Sequence, residues 1–331
     1  MAVHIARCGH EVMIVSRRAV HMEALEQERE NIDYLPGVKL AKEILIGRSV
    51  GEGIDFADVV FMACPSYGLR KLCEQIKKLP GKQNSGQVYI TLCKGLERGT
   101  NLAPVEVLQS ALENERCGVL SGPNFAAEIA QRKPAASTLA ITERKGTDEV
   151  MKSIQKALSN DLFRIYTSKD VKGVEIAGCL KNIYAIGAGI CDGLGLGDNA
   201  KAAYLTRALN ELVRIGKHLG GQTETFYGLS GFGDLVATCS GKGSRNRTFG
   251  EGLANGKSAK ETVQGQKSVV EGYWATHCFK EVLAKDGIEA PILSEIYSVL
   301  YDSKDSKKAL LDLMTRELKT EVIVNSCTLV H

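Results

Sequence analysis

The sequence predicts an α/β protein in which a parallel-sheet domain precedes an all-helical domain, and two observations lead to this fold class. Residues 1–169 contain short apolar runs rich in β-branched side chains, and helical segments separate several of them. Such alternation is typical of a parallel sheet covered by helices on both faces. From about residue 170, long helical segments dominate. We therefore divide the chain into a sheet domain, 1–169, and a helical domain, 170–331.

The elements of the sheet domain follow from periodicity and from glycine positions. Residues 2–8 have the pattern of a helix end closed by Gly9, and a buried strand follows at 11–15. Further strands are predicted at 57–63, 87–92, 117–120, 137–141 and 163–166, and helices around 20–31, 68–78 and 103–113. Residues 193–199 imitate a glycine-rich dinucleotide turn, but they follow a helix rather than a strand, so a loop between helices is predicted there.

The composition excludes several classes of protein. The 331 residues carry a net charge of +3, which is too small to argue for nucleic acid or a membrane surface as a partner. The ten cysteines show no CxxC pair and no Cys/His metal spacing, which predicts reduced thiols in the cytoplasm and no metal site. No apolar run is predicted to be long enough to cross a bilayer, and no signal peptide is recognised.

Lys181 is the first candidate for catalysis. It is the one cation near the centre of a long apolar helix, residues 173–190, and small residues such as Ala177 and Gly178 share its face. Small neighbours let other backbone approach the ammonium group and exclude water, which lowers the pKa of a lysine towards neutrality. The alternative is a lysine whose head group reaches solvent from an apolar helix.

Two candidate segments leave predicted strands at the edge where α/β sheets bind ligands. Lys94 follows the strand at 87–92, although a structural lysine is also common at such a position. Residues 121–128, SGPNFAAE, pass from a strand into a helix whose free N–H groups could meet an anion. An ordinary strand–helix turn would have much the same sequence.

Two further candidates lie in the helical domain. Asp234 and Thr238 are four residues apart and share one face of a predicted helix, although Asp234 could simply stabilise the first turn. Ser244, Arg245, Asn246 and Arg247 offer a hydroxyl, an amide and two guanidinium groups, which match phosphate geometry. A solvated basic loop is the alternative for this cluster.

Taken together, these motifs resemble the NAD(P)-dependent glycerol-3-phosphate dehydrogenase family, in its bacterial form, over nearly the whole chain. The motifs in chain order are NIDYLPG at 31–37, LCKGLE at 92–97, LSGPNF at 120–125, GVEIAGCLKN at 173–182, the loop at 193–199, GFGDL at 231–235, SRNR at 244–247 and VEG at 270–272. The resemblance implies a Rossmann-like first domain and a helical second domain similar to that of 6-phosphogluconate dehydrogenase.

The resemblance also implies a reaction and roles for individual residues. The reaction is the reduction of dihydroxyacetone phosphate to sn-glycerol 3-phosphate by NADH or NADPH, for phospholipid synthesis, with Lys181 as general acid/base. The catalytic group would include Lys94, Asn182 and Asp234, which orient Lys181 and the substrate oxygens. The substrate would also contact Gly122, Asn124, Thr238, Ser244, Arg245 and Asn246. The cofactor site would be lined by Lys94, Ala126, Arg245, Val269 and Glu271. Asn124 stands where the family usually has a hydroxyl residue.

The beginning of the chain departs from the family pattern. The family starts with a strand and a G-x-G-x-x-G turn, and this chain starts within the helix that follows them. We expect a gap in the sheet, weak cofactor binding, and a natural protein longer by about twenty residues. Arg17 and Arg18 follow the second strand of the pattern, where they could meet a 2′-phosphate, so NADPH is favoured over NADH.

Two rival functions remain open from the sequence. One is a related β-hydroxyacid or 6-phosphogluconate-type dehydrogenase, and the other is a non-enzymatic phosphometabolite-binding protein or an inactive fragment. A homodimer, cytoplasmic localisation and the absence of membrane insertion are further expectations.

Overall fold

The structure, a computed structural model, describes residues 1–80, 86–114, 116–265, 270–318 and 320–321. The strands are β1 Val12–Ile14, β2 Ile44–Ile46, β3 Val59–Met62, β4 Val88–Thr91, β5 Cys117–Ser121, β6 Ala135–Ile141 and β7 Phe163–Ser168. Helices among and before the strands are α1 Ala2–Arg7, α2 Ala19–Glu28, α3 Val50–Phe56, α4 Leu69–Lys77, α5 Pro104–Leu112, α6 Ala126–Ala130 and α7 Thr147–Leu158.

The second half contains helices and no strand among its described residues. Its helices are α8 Val171–Gly193, α9 Gly197–His218, α10 Thr223–Tyr227, α11 Asp234–Ser240, α12 Arg245–Ala254, α13 Ala259–Gly265, α14 Glu271–Asp286, α15 Pro291–Tyr301 and α16 Ser306–Met314. A 3₁₀ turn, Ser66–Gly68, precedes α4, and a π-helical turn, Leu229–Gly233, precedes α11. The predicted class, a sheet domain followed by a helical domain, is confirmed, whereas the residue at which they divide stays a prediction.

The strands form two sheets. β1 pairs in parallel with β2, and the other five strands form a sheet in the order β3-β4-β5-β6-β7. All neighbours in the larger sheet are parallel, as predicted, except β5 and β6, which run antiparallel. Among the described strands none joins β1 to β3, so the expected gap lies between these two.

The sequence predicted most elements of the sheet domain and missed short ones. The structure confirms the strands predicted at 11–15, 57–63, 87–92, 117–120, 137–141 and 163–166, to within a few residues at each end. It also confirms a helix after residues 121–125, as α6, and adds β2, α3 and α7, which were not predicted. β2 has only three residues, and such a stretch shows too little periodicity to be recognised.

Helix α8 forms the centre of the helical domain. It has 23 residues, and an 18-residue window within it has a mean hydropathy of 1.3, so by length and composition α8 could cross a membrane, and the prediction that no such run exists is wrong. The whole of the apolar stretch is nevertheless buried inside the protein. α8 is therefore a core helix, around which the other helices of the domain pack.

Two glycines allow α12 to pack directly on α8. A Cβ atom on Gly189 of α8 would lie 1.9 Å from the carbonyl oxygen of Arg247, and a Cβ atom on Gly250 of α12 would lie 2.0 Å from the carbonyl oxygen of Ile186. Side chains at either position would therefore force the two helices apart. This close approach brings the N-terminus of α12, where Ser244 is the N-cap, next to the helix that carries Lys181.

Candidate active site

Lys181 is buried and bound to two side chains of α11. Its side chain is 6% exposed, and its Nζ donates to Asp234 Oδ1 at 2.5 Å and to Thr238 Oγ1 at 2.7 Å. Both acceptors project from one face of α11, which confirms the helix predicted for this pair. The alternative in which Lys181 reaches solvent from the apolar helix is therefore wrong.

Asp234 bridges two lysines from different domains. Its Oδ2 accepts a hydrogen bond of 2.8 Å from Nζ of Lys94, which follows β4, while its Oδ1 binds Lys181. Asp234 is the first residue of α11 and follows directly on the π-helical turn, a local geometry that is frequent at functional sites. The carboxylate thus links the two lysines, in addition to any effect it has on the first turn of α11.

Burial and neighbouring charges shift the pKa values of this cluster. Desolvation lowers the pKa of Lys181 to about 8, although the attraction of Asp234 acts in the opposite direction, and the positive charge of Lys94 lowers it further. Burial pushes the pKa of the Asp234 carboxyl group upward, but the two ammonium groups together bring it below its usual value. The cluster therefore contains a stable carboxylate and a lysine that can exchange its proton near neutral pH.

A chain of amide hydrogen bonds fixes the position of Lys94. Asn182, one residue after Lys181 on α8, donates from Nδ2 to the carbonyl oxygen of Lys94 at 2.9 Å. Its Oδ1 accepts a bond of 2.9 Å from Asn246 Nδ2, and Asn246 Oδ1 accepts one of 3.0 Å from the amide of Gly272. Both asparagines are buried. This Asn182–Asn246 chain connects β4, α8, α12 and α14 at one point.

The loop after β5 supplies further polar groups to Lys94. The Lys94 Nζ donates to the carbonyl oxygen of Gly122 at 3.1 Å and to Asn124 Oδ1 at 3.0 Å, and Asn124 Nδ2 donates to Ser137 Oγ at 3.0 Å. Gly122 has a φ of +137°, a conformation that strongly favours glycine. The structure therefore brings together Lys94, Gly122 and Asn124 with Lys181, Asp234 and Thr238, while their roles in catalysis and binding stay predictions.

The two arginines of the predicted phosphate cluster have different surroundings. Arg245, the first residue of α12, is exposed and makes no ion pair or hydrogen bond within the described part of the chain. Arg247 is occupied: its Nε donates to Asp192 Oδ2 and its Nη2 to Glu251 Oε1, each at 2.6 Å. The expectation of two available guanidinium groups is therefore wrong for Arg247, because its position on α12 directs it towards these acids.

The other two members of that cluster have structural contacts as well. The Oγ of Ser244 accepts a hydrogen bond of 3.3 Å from the amide of Arg247 and so caps α12. The side chain of Asn246 belongs to the Asn182–Asn246 chain. Each retains further hydrogen-bonding capacity, since a hydroxyl can still donate and an amide has two donors and two lone pairs.

The predicted cofactor residues lie along the carboxyl edge of the sheets. Arg17 is exposed beyond the end of β1, and its guanidinium group lies against Gly68, where a Cβ atom would approach it to 2.6 Å. Ala126 is exposed at the start of α6. Glu271, the first residue of α14, accepts hydrogen bonds from the amide and hydroxyl of Ser66 at 3.1 and 2.7 Å. Val269 lies outside the described residues.

Two serines of the site were missed in the sequence. Ser66 ties the turn after β3 to α14 through Glu271, and its position just after a strand was the signal that could have identified it. Ser121 is 1% exposed, and its Oγ has no hydrogen-bond partner among the described residues. That oxygen lies at the last residue of β5, against Gly178 of α8. A buried hydroxyl without a partner is rare in native proteins.

Fold and site together define a class of protein. A sheet domain with ligand-facing strand ends is joined to a helical domain that presents a buried lysine with a lowered pKa, which is the arrangement of a two-domain dehydrogenase. The family model described as "NAD-dependent glycerol-3-phosphate dehydrogenase N-terminus" matches residues 1–147, and that described as "NAD-dependent glycerol-3-phosphate dehydrogenase C-terminus" matches residues 170–311. The chain belongs to the NAD-dependent glycerol-3-phosphate dehydrogenase family.

Individual relatives agree with this placement. The chain is 39% identical over 325 residues to glycerol-3-phosphate dehydrogenase [NAD(P)+] of Chlorobium limicola, covering 97% of this chain and 96% of the relative. It is 41% identical over 322 residues to the protein of the same name from Solidesulfovibrio magneticus, covering 96% and 94%. The crystal structure of glycerol-3-phosphate dehydrogenase from Coxiella burnetii superposes with a TM-score of 0.88 at 32% identity, covering 95% and 94% of the two chains.

These comparisons do not support the predicted loss of an N-terminal strand and turn. The match to the N-terminal family model begins at residue 1, and the chain covers nearly all of the relatives' length. The separation of β1 from β3 remains a feature of the described fold.

Proposed function

We propose that the protein reduces dihydroxyacetone phosphate to sn-glycerol 3-phosphate with NADPH or NADH, and that Lys181 is the general acid/base. The observation that carries this proposal is the buried Lys181–Asp234–Lys94 cluster, in which one carboxylate joins a lysine of each domain. The names of the relatives, each a glycerol-3-phosphate dehydrogenase [NAD(P)+], support the choice of substrate and cofactor.

The residues of the cluster have separate tasks in this reaction. The bound nicotinamide cofactor supplies or accepts the hydride. Lys181 donates its proton to the C2 oxygen of the ketone as the alkoxide forms, and it removes that proton in the reverse direction. Because its pKa is about 8, Lys181 is mostly protonated at neutral pH and can still lose its proton. Asp234 and Thr238 hold the ammonium group in place, and Lys94 adds positive charge where negative charge develops on the substrate.

The helical domain supplies the phosphate site of this proposal. Arg245 lies one residue after the N-cap of α12, and its guanidinium group is exposed. A guanidinium group pairs with phosphate oxygens in a bidentate manner, and the positive end of a helix favours the same anion. Ser244 and Asn246 complete the site with a hydroxyl and an amide, and Asn182 keeps Asn246 in position. Gly122 and Asn124 contact the substrate from the sheet domain.

The residues present fit most of a dinucleotide cofactor. Arg17 is exposed at the carboxyl end of β1, where sheets of this kind bind the adenosine ribose, and a guanidinium group there suits a 2′-phosphate. Glu271 binds Ser66 in the turn after β3, Ala126 lies at the start of α6, and Arg245 and Lys94 would touch the cofactor as well as the substrate. On this basis we favour NADPH, and we assign Val269 to the same site from the family resemblance alone.

Activity assays with chosen substrates test the proposal. The purified protein should oxidise NADPH with dihydroxyacetone phosphate and should have little activity with unphosphorylated dihydroxyacetone, because the second ketone lacks the group that Arg245 binds. Oxidation of 6-phosphogluconate or of a 3-hydroxyacid in its place would instead favour a related dehydrogenase. Binding of dihydroxyacetone phosphate without any turnover would favour a non-enzymatic binding protein, one of the two rivals left by the sequence.

Several wider properties of this function are proposals of the same kind. Provision of glycerol 3-phosphate for phospholipid synthesis, cytoplasmic localisation without membrane insertion, and a homodimeric state follow from the family resemblance. Gel filtration with light scattering would test the homodimer, and fractionation of the source cells would test the localisation.

A further inference from the structure

Two cysteines lie side by side at the carboxyl edge of the larger sheet. β3 and β4 are parallel neighbours with Met62 opposite Thr91, and the same register two residues further on places Cys64 beside Cys93. Neighbouring strands are about 4.8 Å apart, which lies within the Cα separation of about 4.4–6.8 Å that a disulfide spans. The Sγ of Cys93 already points to Cys64, since it donates to the Cys64 carbonyl oxygen at 2.9 Å.

The two thiols differ in exposure and in acidity. Cys64 is partly exposed, whereas Cys93 is buried at 5% exposure. A hydrogen bond from Cys93 lowers the pKa of the Cys64 thiol, and the nearby Arg17 guanidinium group adds to this effect against the opposing effect of burial. The pKa of Cys93 is raised, by the same contact and by burial. An accessible thiol with a lowered pKa beside a second thiol is the usual composition of a redox-sensing pair.

We propose that Cys64 and Cys93 form a reversible disulfide when a low-molecular-weight disulfide such as oxidised glutathione is in excess, and that this disulfide inactivates the neighbouring catalytic site. The Cys64 thiolate attacks one sulfur of oxidised glutathione, forms a mixed disulfide and releases one glutathione thiolate. Cys93 then gives its proton to solvent and attacks the Cys64 sulfur, which releases the second glutathione thiolate. Two protein thiols are oxidised and one small disulfide is reduced to two thiols.

The disulfide would act on the catalytic site through the residues next to it. Cys93 directly precedes Lys94, whose Nζ binds Asp234 and whose carbonyl oxygen binds Asn182. Cys64 lies two residues before Ser66, which binds Glu271 of α14. A new bond between the strand ends moves Cys93 Sγ from the Cys64 carbonyl oxygen to the Cys64 sulfur. Because misplacement of a catalytic group by about 1 Å costs up to about a hundredfold in rate, we expect a loss of roughly tenfold or more.

Peptide mapping can identify this disulfide without any reference to activity. Trypsin places Cys64 in the peptide 49–70, Cys93 in the peptide 83–94, and the nearby Cys73 in 72–77. After incubation with oxidised glutathione and blocking of free thiols, the peptides 49–70 and 83–94 should be recovered as one linked species that dithiothreitol separates. Cys73 is fully buried and burial raises its pKa to about 12, so it should remain a free thiol.

Three variants complete the test. Cys93→Ser should accumulate the mixed disulfide of Cys64 with glutathione, and Cys64→Ser should form neither product. Cys64→Ser should keep its own untreated rate when oxidant is added. Cys8→Ser removes another partly exposed thiol, one that contacts His4 and Asn160, and should behave as the wild type does. The expected loss of rate rests on the proposed dehydrogenase function, whereas detection of the linked peptide is independent of that function. Failure of the proposed function and failure of the proposed disulfide can therefore be distinguished.

The inference is overturned if no linked peptide forms at saturating oxidant, or if Cys64 pairs with Cys73 instead. It is also overturned if the Cys64–Cys93 disulfide forms and the rate of NADPH oxidation is unchanged. Equal inactivation of the wild type and of Cys64→Ser would assign the loss of activity to other thiols.

Discussion

Replacement of Asp234 by asparagine keeps the shape of the side chain and removes the negative charge that lies between Lys181 and Lys94. The carboxylate now raises the pKa of Lys181 against the effect of burial, and Lys94 lowers it. Without the carboxylate, burial and the charge of Lys94 act unopposed. An opposite charge at this range shifts a pKa by about 1–3 units, so the pKa of Lys181 should fall from about 8 to about 6.

The consequence for the rate depends on pH in a defined direction. Reduction of the ketone requires protonated Lys181, so activity is lost as pH rises through the pKa of Lys181. At pH 7.5 about three quarters of the wild-type lysines carry the proton, whereas about 3% do so at a pKa near 6. Asp234→Asn should therefore be roughly twentyfold slower at pH 7.5 and should regain much of this loss near pH 5.5.

The assay is kcat/KM for dihydroxyacetone phosphate with NADPH from pH 5 to pH 9.5, because its pH profile reports the pKa of the free enzyme. Asp198→Asn, which changes an exposed acid at the start of α9, is the matched control and should keep the wild-type profile. A loss in Asp234→Asn that is equal at every pH, with the alkaline limb unmoved, would show that Asp234 does not set the pKa of Lys181 and would refute the reasoning.

Three further predictions concern single residues. Arg245→Ala should raise KM for dihydroxyacetone phosphate by about tenfold or more, because a charged hydrogen-bond partner of the phosphate is lost. Arg247→Ala breaks contacts to Asp192 and Glu251 and should mainly lower the melting temperature. The opposite pattern would exchange the roles of the two arginines. Gly250→Ala should destabilise the protein by about 1–3 kcal/mol in urea titrations, because its methyl group would collide with the backbone of α8, and Gly243→Ala, with open space around it, should not. Arg17→Ala should weaken binding of NADPH but not of NADH, and equal affinities before and after the change would remove Arg17 from the cofactor site.

Sequence reasoning identified the members of the Lys181 cluster because their signal is local. Lys181 stands out as a cation inside an apolar helix, and Asp234 and Thr238 share a helical face whatever the rest of the fold does. Lys94 and the loop at Gly122 each follow a predicted strand, so the sequence also placed them at the carboxyl edge of the sheet, where ligands bind. These inferences need only the period of the element and the polarity of the sheet.

The contacts that depend on tertiary packing were not accessible from the sequence. Asn182 and Asn246 are 64 residues apart, and they meet only because glycines let α12 lie directly on α8. Arg245 and Arg247 look equivalent in a list of basic residues, yet their positions on the helix separate an exposed guanidinium group from one bound to acids. The antiparallel pairing of β5 with β6 could not be predicted either, because apolar runs indicate where strands are and not in which direction they run.

Replacement of Lys181 by methionine tests the central claim most directly. Methionine keeps much of the buried volume of the side chain and removes the proton donor, and Lys217→Met removes an exposed lysine of α9 as the control. With folding verified by circular dichroism, the account predicts that Lys181→Met loses about 10²–10⁴-fold in the rate of NADPH oxidation by dihydroxyacetone phosphate while the control is unaffected. A folded Lys181→Met protein that turns over at the wild-type rate would contradict the assignment of Lys181 as the general acid/base.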